Sequence, residues 1–244
     1  GDVYKRQSLD YTHTEKRREV DHFNNRGTGY FLDNETLYPG RITRDPLTPA
    51  DIAAGYSAGV ITQIDATYMN IAKTTVDAID LQIDQGFRLG PNDRLRTYGS
   101  VTWTPRLVRR DGPDRPVRHY VGTDEGPLRW RGAAGATWDH DDLTIGVDAQ
   151  YYHAYRATGT MAFALAKTAP TGVRIPSQVY LDANMTYRLS LDDWQGRPRD
   201  VEIRFGVQNL LDHDPPTVTN AALSYSYYGD PRGRRFELSA TARF

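Results

Sequence analysis

Residues 178–191, QVYLDANMTYRLSL, separate into two sets at a period of two. The odd positions are Val179, Leu181, Ala183, Met185, Tyr187, Leu189 and Leu191. The even positions are Gln178, Tyr180, Asp182, Asn184, Thr186, Arg188 and Ser190. A helix turns about 100° per residue and would mix the two sets, whereas a strand sends successive side chains to opposite faces. The segment is therefore a strand with one apolar and one polar face. At fourteen residues it is far longer than the soluble norm of about 5 or 6.

The same alternation recurs along the chain. The apolar sets are Ile79, Leu81, Ile83 and Phe87; then Leu95, Thr97, Gly99, Val101 and Trp103; then Leu128, Trp130, Gly132, Ala134, Ala136 and Trp138. Leu143, Ile145, Val147, Ala149 and Tyr151 follow, then Val201, Ile203, Phe205 and Val207. Phe236, Leu238, Ala240, Ala242 and Phe244 come last. A weaker first strand holds Leu9, Tyr11 and His13. These are eight strands, several near the roughly 9 to 11 residues that cross a bilayer. Short turns at 90–93 and 139–142, and a slightly longer one at 192–200, alternate with long polar connections at 20–72, 109–127, 156–176 and 212–233. Short turns at one end and long loops at the other is the pattern of outer-membrane barrels. Trp130 and Trp138 share a face roughly 26 Å apart at about 3.3 Å per residue, which suits aromatic girdles on either side of an apolar band. The expected fold is all-β, a transmembrane antiparallel β-barrel.

Composition agrees. The mean hydropathy of -0.65 is compatible with a barrel, because alternation hides the apolar residues from averaging. No apolar run reaches the length of a membrane helix. The net charge of -1 gives no sign of a nucleic-acid partner. With no cysteine, disulfides and thiolate metal sites are excluded. Residues 1–7 contain neither Met nor an apolar signal core, and are expected to be a non-native leader preceding a domain over 8–244. Thr48, Pro49 and Asp51 predict a short helix over 49–54, with Thr48 as N-cap and Pro49 at N1.

Other signals carry less. Gly55-Tyr56-Ser57-Ala58-Gly59 matches a nucleophile elbow, but that device needs a strand before it and a helix after it; here the order is reversed, so no catalytic residue is assigned. The six histidines lack zinc-site spacing, and His213 between Asp212 and Asp214 reads as a solvated loop. No cofactor or metal is expected. Arg96, Arg129, Arg131, Asp148, Asp182, Arg188, Glu202, Arg204, Glu237 and Arg243 fall on the polar face and read as a hydrated lumen wall with cross-strand ion pairs.

The run Val207-Gln208-Asn209-Leu210-Leu211-Asp212-His213-Asp214-Pro215-Pro216, with Tyr228-Gly229-Asp230-Pro231-Arg232-Gly233-Arg234-Arg235-Phe236 and the alternation to Phe244, resembles the C-terminal part of TonB-dependent receptors. Leu37 to Pro46 and Thr75 to Leu81 resemble a loop and the following strand start in some of these receptors. Leu211 stands where the family more often has Phe. The resemblance covers about residues 8–244 and implies the last eight strands of a 22-stranded barrel. A plug domain and the segment that engages TonB would lie upstream, outside this chain.

The resemblance also implies roles and partners. The chain would sit in the outer membrane of a Gram-negative bacterium, in contact with lipid and its own plug. TonB would energise uptake of a scarce nutrient: iron chelate, cobalamin, carbohydrate or peptide. Phe236, Leu238, Ala240, Ala242 and Phe244 would signal to the barrel-assembly machinery. Arg118, His119, Tyr120, Tyr225, Tyr227 and Tyr228, in long loops, are the candidate ligand contacts. This is transport without bond chemistry. Two alternatives remain: a complete eight-stranded barrel with a structural or adhesive role, and a soluble glycan-binding β-sandwich whose apolar faces pack together.

Overall fold

The computed structural model describes residues 3–21, 27–112, 115–158, 174–192, 198–217 and 225–243. It is nearly all β, with 62% strand and 7% helix. In chain order the elements are β1 (Val3–Asp21), α1 (Gly27–Asp33), a 3-10 turn (Glu35–Leu37), β2 (Ile42–Arg44), α2 (Pro49–Ala53), β3 (Ile61–Ile64), β4 (Met69–Arg88) and β5 (Asp93–Arg110). There follow β6 (Arg118–His119), β7 (Trp130–His140), β8 (Leu143–Tyr152), β9 (Tyr155–Arg156), β10 (Arg174–Ile175), β11 (Gln178–Asp192), β12 (Pro198–Gln208) and β13 (Arg235–Arg243). The main sheet is antiparallel and open, in the order β1-β4-β5-β7-β8-β11-β12-β13, with β6 beside β5. Its eight path strands are the eight read from alternation. Phe244 and the side chain of Arg243 lie outside the described residues, as does most of the 192–200 turn.

The chain divides into two compact units: residues 1–13, 76–107 and 120–244 form the first, and residues 14–75 and 108–119 the second.

In the first unit, register carries each strand's parity into the next. Trp103 pairs with Trp130 and Leu95 with Trp138. Ala136 and Ala183 flank Val147, and Trp138 and Met185 flank Ile145. Phe205 pairs with Met185 and Leu238, and Ile203 with Tyr187 and Ala240. The apolar sets of β5, β7, β8, β11, β12 and β13 therefore fall on one face, apart from Leu128, which precedes β7 and is buried in a small core. That face is exposed: Val147 is 39%, Met185 43%, Phe205 38% and Leu238 74% accessible. A soluble protein does not leave so wide an apolar surface uncovered. A β-sandwich would bury these side chains instead of leaving them exposed. Trp103 stacks on Trp130 with ring centres 5.3 Å apart, at one end of the band, and Trp138 marks the other.

Turn chemistry sets the two ends. β7 and β8 are joined by Asp141 and Asp142 alone, with Asp141 left-handed at φ 47°, a conformation Asp tolerates better than most residues. At the opposite end β12 stops at Asn209, also left-handed at φ 53°. Asn209 is 6% exposed. Its amide side chain donates to the His213 carbonyl at 3.0 Å and accepts from the His213 N–H at 2.9 Å. Asp212 then accepts from the Arg234 N–H at 2.9 Å, fixing where β13 begins. The Asn-Leu-Leu-Asp run is thus a built strand stop.

The second unit corrects one reading. Residues 20–72 were expected to be a polar connection holding one helix. Instead β1 runs through Asp21 and β4 starts at Met69, and the chain between them builds α1, α2 and the β2–β3 hairpin. Phe31 and Tyr38, 2% and 3% exposed, form a core with Tyr30, Ile42, Ile64, Ala66, Met69 and Ile71 against it. Arg41 pairs with Asp65 and Arg44 with Glu35, each at 2.9 Å. These apolar residues sit at irregular spacings, so no periodicity count registers them.

Helix α2 occurs where its cap foretold. Thr48 Oγ1 accepts from the Asp51 N–H at 3.2 Å, and the Asp51 carboxylate accepts from the Thr48 N–H at 2.9 Å. The Thr48 hydroxyl and amide hold the Asp51 carboxyl below its usual range. A carboxyl depressed in the folded state stabilises above its unfolded pKa, and that contribution disappears as pH falls through the folded value. Thr48→Ala is expected to cost the helix start about 1 kcal/mol and to flatten this pH dependence. Amide exchange of Asp51 between pH 2 and 6 checks both effects, and an unchanged profile would refute the capping box.

Candidate functional site

The polar face of the first unit carries Arg131, Gln150, Tyr152, Tyr180, Asp182, Gln208 and Arg235 near the strand ends that bear long connections. Parity explains their company: Tyr152 pairs with Arg131 and Gln178, and Gln150 with Tyr180. Gln208 pairs with Arg235. These side chains line an open pocket of about 580 Å³, closed over in part by Tyr227, Tyr228, Gly229 and Asp230.

The 225–230 segment is tied down by hydrogen bonds to the sheet. Ser226 is 2% and Gln178 1% exposed. Ser226 Oγ accepts from the Gln178 amide at 2.8 Å and from the Tyr155 hydroxyl at 3.2 Å. The Tyr180 hydroxyl donates to Gln178 Oε1 at 2.9 Å. Gly229 passes so close that a Cβ there would stand 2.3 Å from Pro215 Cβ and 2.4 Å from the Tyr180 hydroxyl, so no larger residue fits without a shift.

Aromatic stacking shapes the floor. Tyr228 stacks on Tyr152 at 5.2 Å and meets Tyr155 edge-on at 5.7 Å. Burial pushes the Tyr228 and Tyr155 hydroxyl pKa values up, so both stay protonated donors at neutral pH. The Arg131 guanidinium lies over the Tyr152 ring, 5.6 Å from its centre, within cation–π range. Behind these, Leu128, Tyr155, Ala157 and Ile175 form a small apolar core. Asp230 is bound by Arg232 at 2.7 Å and Arg235 at 2.9 Å. The Arg232 hydrogen bonds hold its carboxyl well below the usual carboxylate range.

Of the six candidate ligand residues, Tyr227 and Tyr228 line this pocket. Tyr225 instead bridges to Thr217. Tyr120 donates its N–H to the Leu107 carbonyl at 3.0 Å. Arg118 and His119 form β6 against Val108 and Arg109 in the second unit. The loops alone therefore do not make the site. Its other half comes from strand residues: Arg131 and Asp182 were read as wall charges, and Gln150, Tyr152, Tyr180, Gln208 and Arg235 were not singled out. The available signal was Tyr152 and Tyr180 at polar-parity positions close to strand ends.

Elsewhere on that face the expected ion pairs form, with Arg188 at 3.2 Å from Glu202 and Arg96 at 3.1 Å from Asp139. The Gly55–Gly59 run lies between α2 and β3, the reverse of a nucleophile elbow.

An antiparallel sheet with one exposed apolar face, one polar face and long connections at a single end is the wall of an outer-membrane β-barrel. A family model described as "TonB dependent receptor-like, beta-barrel" matches residues 19–210, and the chain belongs to that family. No curated protein matches the chain. The family is one of outer-membrane TonB-dependent transporters, not of enzymes.

Proposed function

We propose that this chain supplies barrel wall and external loops to a receptor that takes up a scarce nutrient across the outer membrane of a Gram-negative bacterium. Iron chelates, cobalamin, carbohydrates and peptides are the nutrient classes. The reading is carried by one observation: a six-strand apolar face opposite a polar face whose pocket opens at the long-loop end. The polar face would meet a plug domain, and TonB would move that plug. The exposed edge strand β13, with Phe236 67% and Leu238 74% accessible, supports a role for Phe236, Leu238, Ala240 and Ala242 in recognition by the barrel-assembly machinery. The whole receptor is proposed to have a 22-stranded barrel, to which this chain gives eight strands.

The test is uptake by cells with and without the gene, each in tonB-positive and tonB-negative backgrounds. Ferric citrate, cobalamin, maltodextrin and a peptide mixture are supplied in turn as limiting nutrient. One nutrient is expected to lose uptake on deletion of either gene. Equal uptake of all four in every background refutes the reading.

A further inference from the structure

Hydrogen-bonding capacity in the pocket is used unevenly. Several of its acceptors are engaged within the protein: Asp230 by Arg232 and Arg235, and Asp182 Oδ1 by the Asn209 N–H at 2.7 Å. Gln150 Oε1 accepts the Tyr152 hydroxyl at 2.7 Å, and Gln208 Oε1 accepts from Arg235. Donors are left over. With each glutamine oxygen occupied, its NH2 remains to offer. Arg131 forms no ion pair among the described residues and rests over Tyr152.

We infer that this pocket takes a carboxylate-bearing ligand, anchored by Arg131 and flanked by the Gln150 and Gln208 amides. The inference rests on the uptake function proposed above and names the substrate class of that site. A planar guanidinium meets a planar carboxylate through two parallel N–H···O bonds, and the Tyr152 ring beneath Arg131 fixes the plane of the fork. A neutral polyol fits less well, because each hydroxyl also donates and several of the wall's acceptors are engaged. Inorganic phosphate can also meet a guanidinium through two N–H···O bonds and enters the test as the competing anion without a carboxylate.

The full-length receptor, purified in detergent, is titrated calorimetrically with citrate, glucose and inorganic phosphate. Citrate is expected to bind saturably and more tightly than the other two. Arg131→Met is expected to weaken citrate at least about tenfold, and Arg131→Lys to fall between, keeping the charge but losing the fork. Heat-modifiable migration on gels establishes that each variant is folded, and where the Met variant is not, the Lys variant decides. Tighter binding of glucose or phosphate, no saturable citrate binding, or unchanged citrate affinity in a folded Arg131 variant overturns the inference. TonB-dependent uptake of a neutral nutrient without citrate binding overturns this inference alone. Arg131-dependent citrate binding without any TonB-dependent uptake overturns the transport reading and leaves this one standing.

Discussion

Val147→Arg is expected to destabilise the membrane-inserted sheet by about 2–4 kcal/mol, the cost of a cation on the lipid face near mid-bilayer. Val147 lies midway along β8 and is flanked by Ala136 and Ala183 in register. Its side chain is 39% exposed on the apolar face, where an arginine finds only hydrocarbon. The matched control is Asn184→Arg at the same depth on β11. Asn184 is on the polar face, and its register partners are Gly146 and Gly206, so an arginine there reaches a hydrated space. That change is expected to stay within roughly 0.5 kcal/mol. Urea unfolding from lipid bilayers measures both. Equal effects would mean that the two faces are not lipid and lumen.

Asn209→Ala is the second large effect, expected to loosen the β12–β13 connection by about 2–5 kcal/mol. Two causes add. Alanine at φ 53° meets the left-handed penalty of roughly 1–2 kcal/mol. The two side-chain hydrogen bonds to His213 are lost as well, at about 0.5–1.5 kcal/mol each. Asn209→Gly separates the causes, because glycine accepts the backbone angle and loses only the hydrogen bonds. It is expected to recover about half the loss. Amide exchange at Arg234, whose N–H is held by Asp212, reports the loosening. If Ala and Gly exchange alike, the backbone angle contributes nothing.

The membrane face was legible in the sequence because antiparallel register preserves parity: Met185 at an odd position meets Ile145 and Phe205 at odd positions, so local alternation becomes a global surface. Helix α2 was legible because its cap is contained in Thr48 to Asp51. The full length of β1 was not. Lys16, Arg17 and Arg18 continue the strand beyond any apolar alternation, since a strand outside the hydrocarbon band has no face to hide from water. The Phe31–Tyr38 core escaped because its partners Ile42, Ile64 and Ile71 are spaced at no structural period. The pocket was half legible. Tyr227 and Tyr228 stand in an aromatic loop segment, but Arg131, Gln150 and Gln208 become neighbours only once β7, β8, β11 and β12 pair in register.

The strand order of the main sheet follows chain order throughout, and this has a kinetic consequence. Each strand can be added to the one before it, so the sheet can grow by zipping rather than by a search among distant segments. The tight Asp141–Asp142 hairpin is a natural first closure. Joining β1 to β4 spans residues 22–68, which by loop-closure entropy costs about 3 kcal/mol more than a two-residue turn. The Phe31–Tyr38 core changes that comparison: once it forms, Tyr30 and the β2–β3 hairpin are gathered against Met69 and Ile71 at the start of β4. A loop with a core that includes the start of the next strand thereby shortens the search for the pairing of the strands it connects.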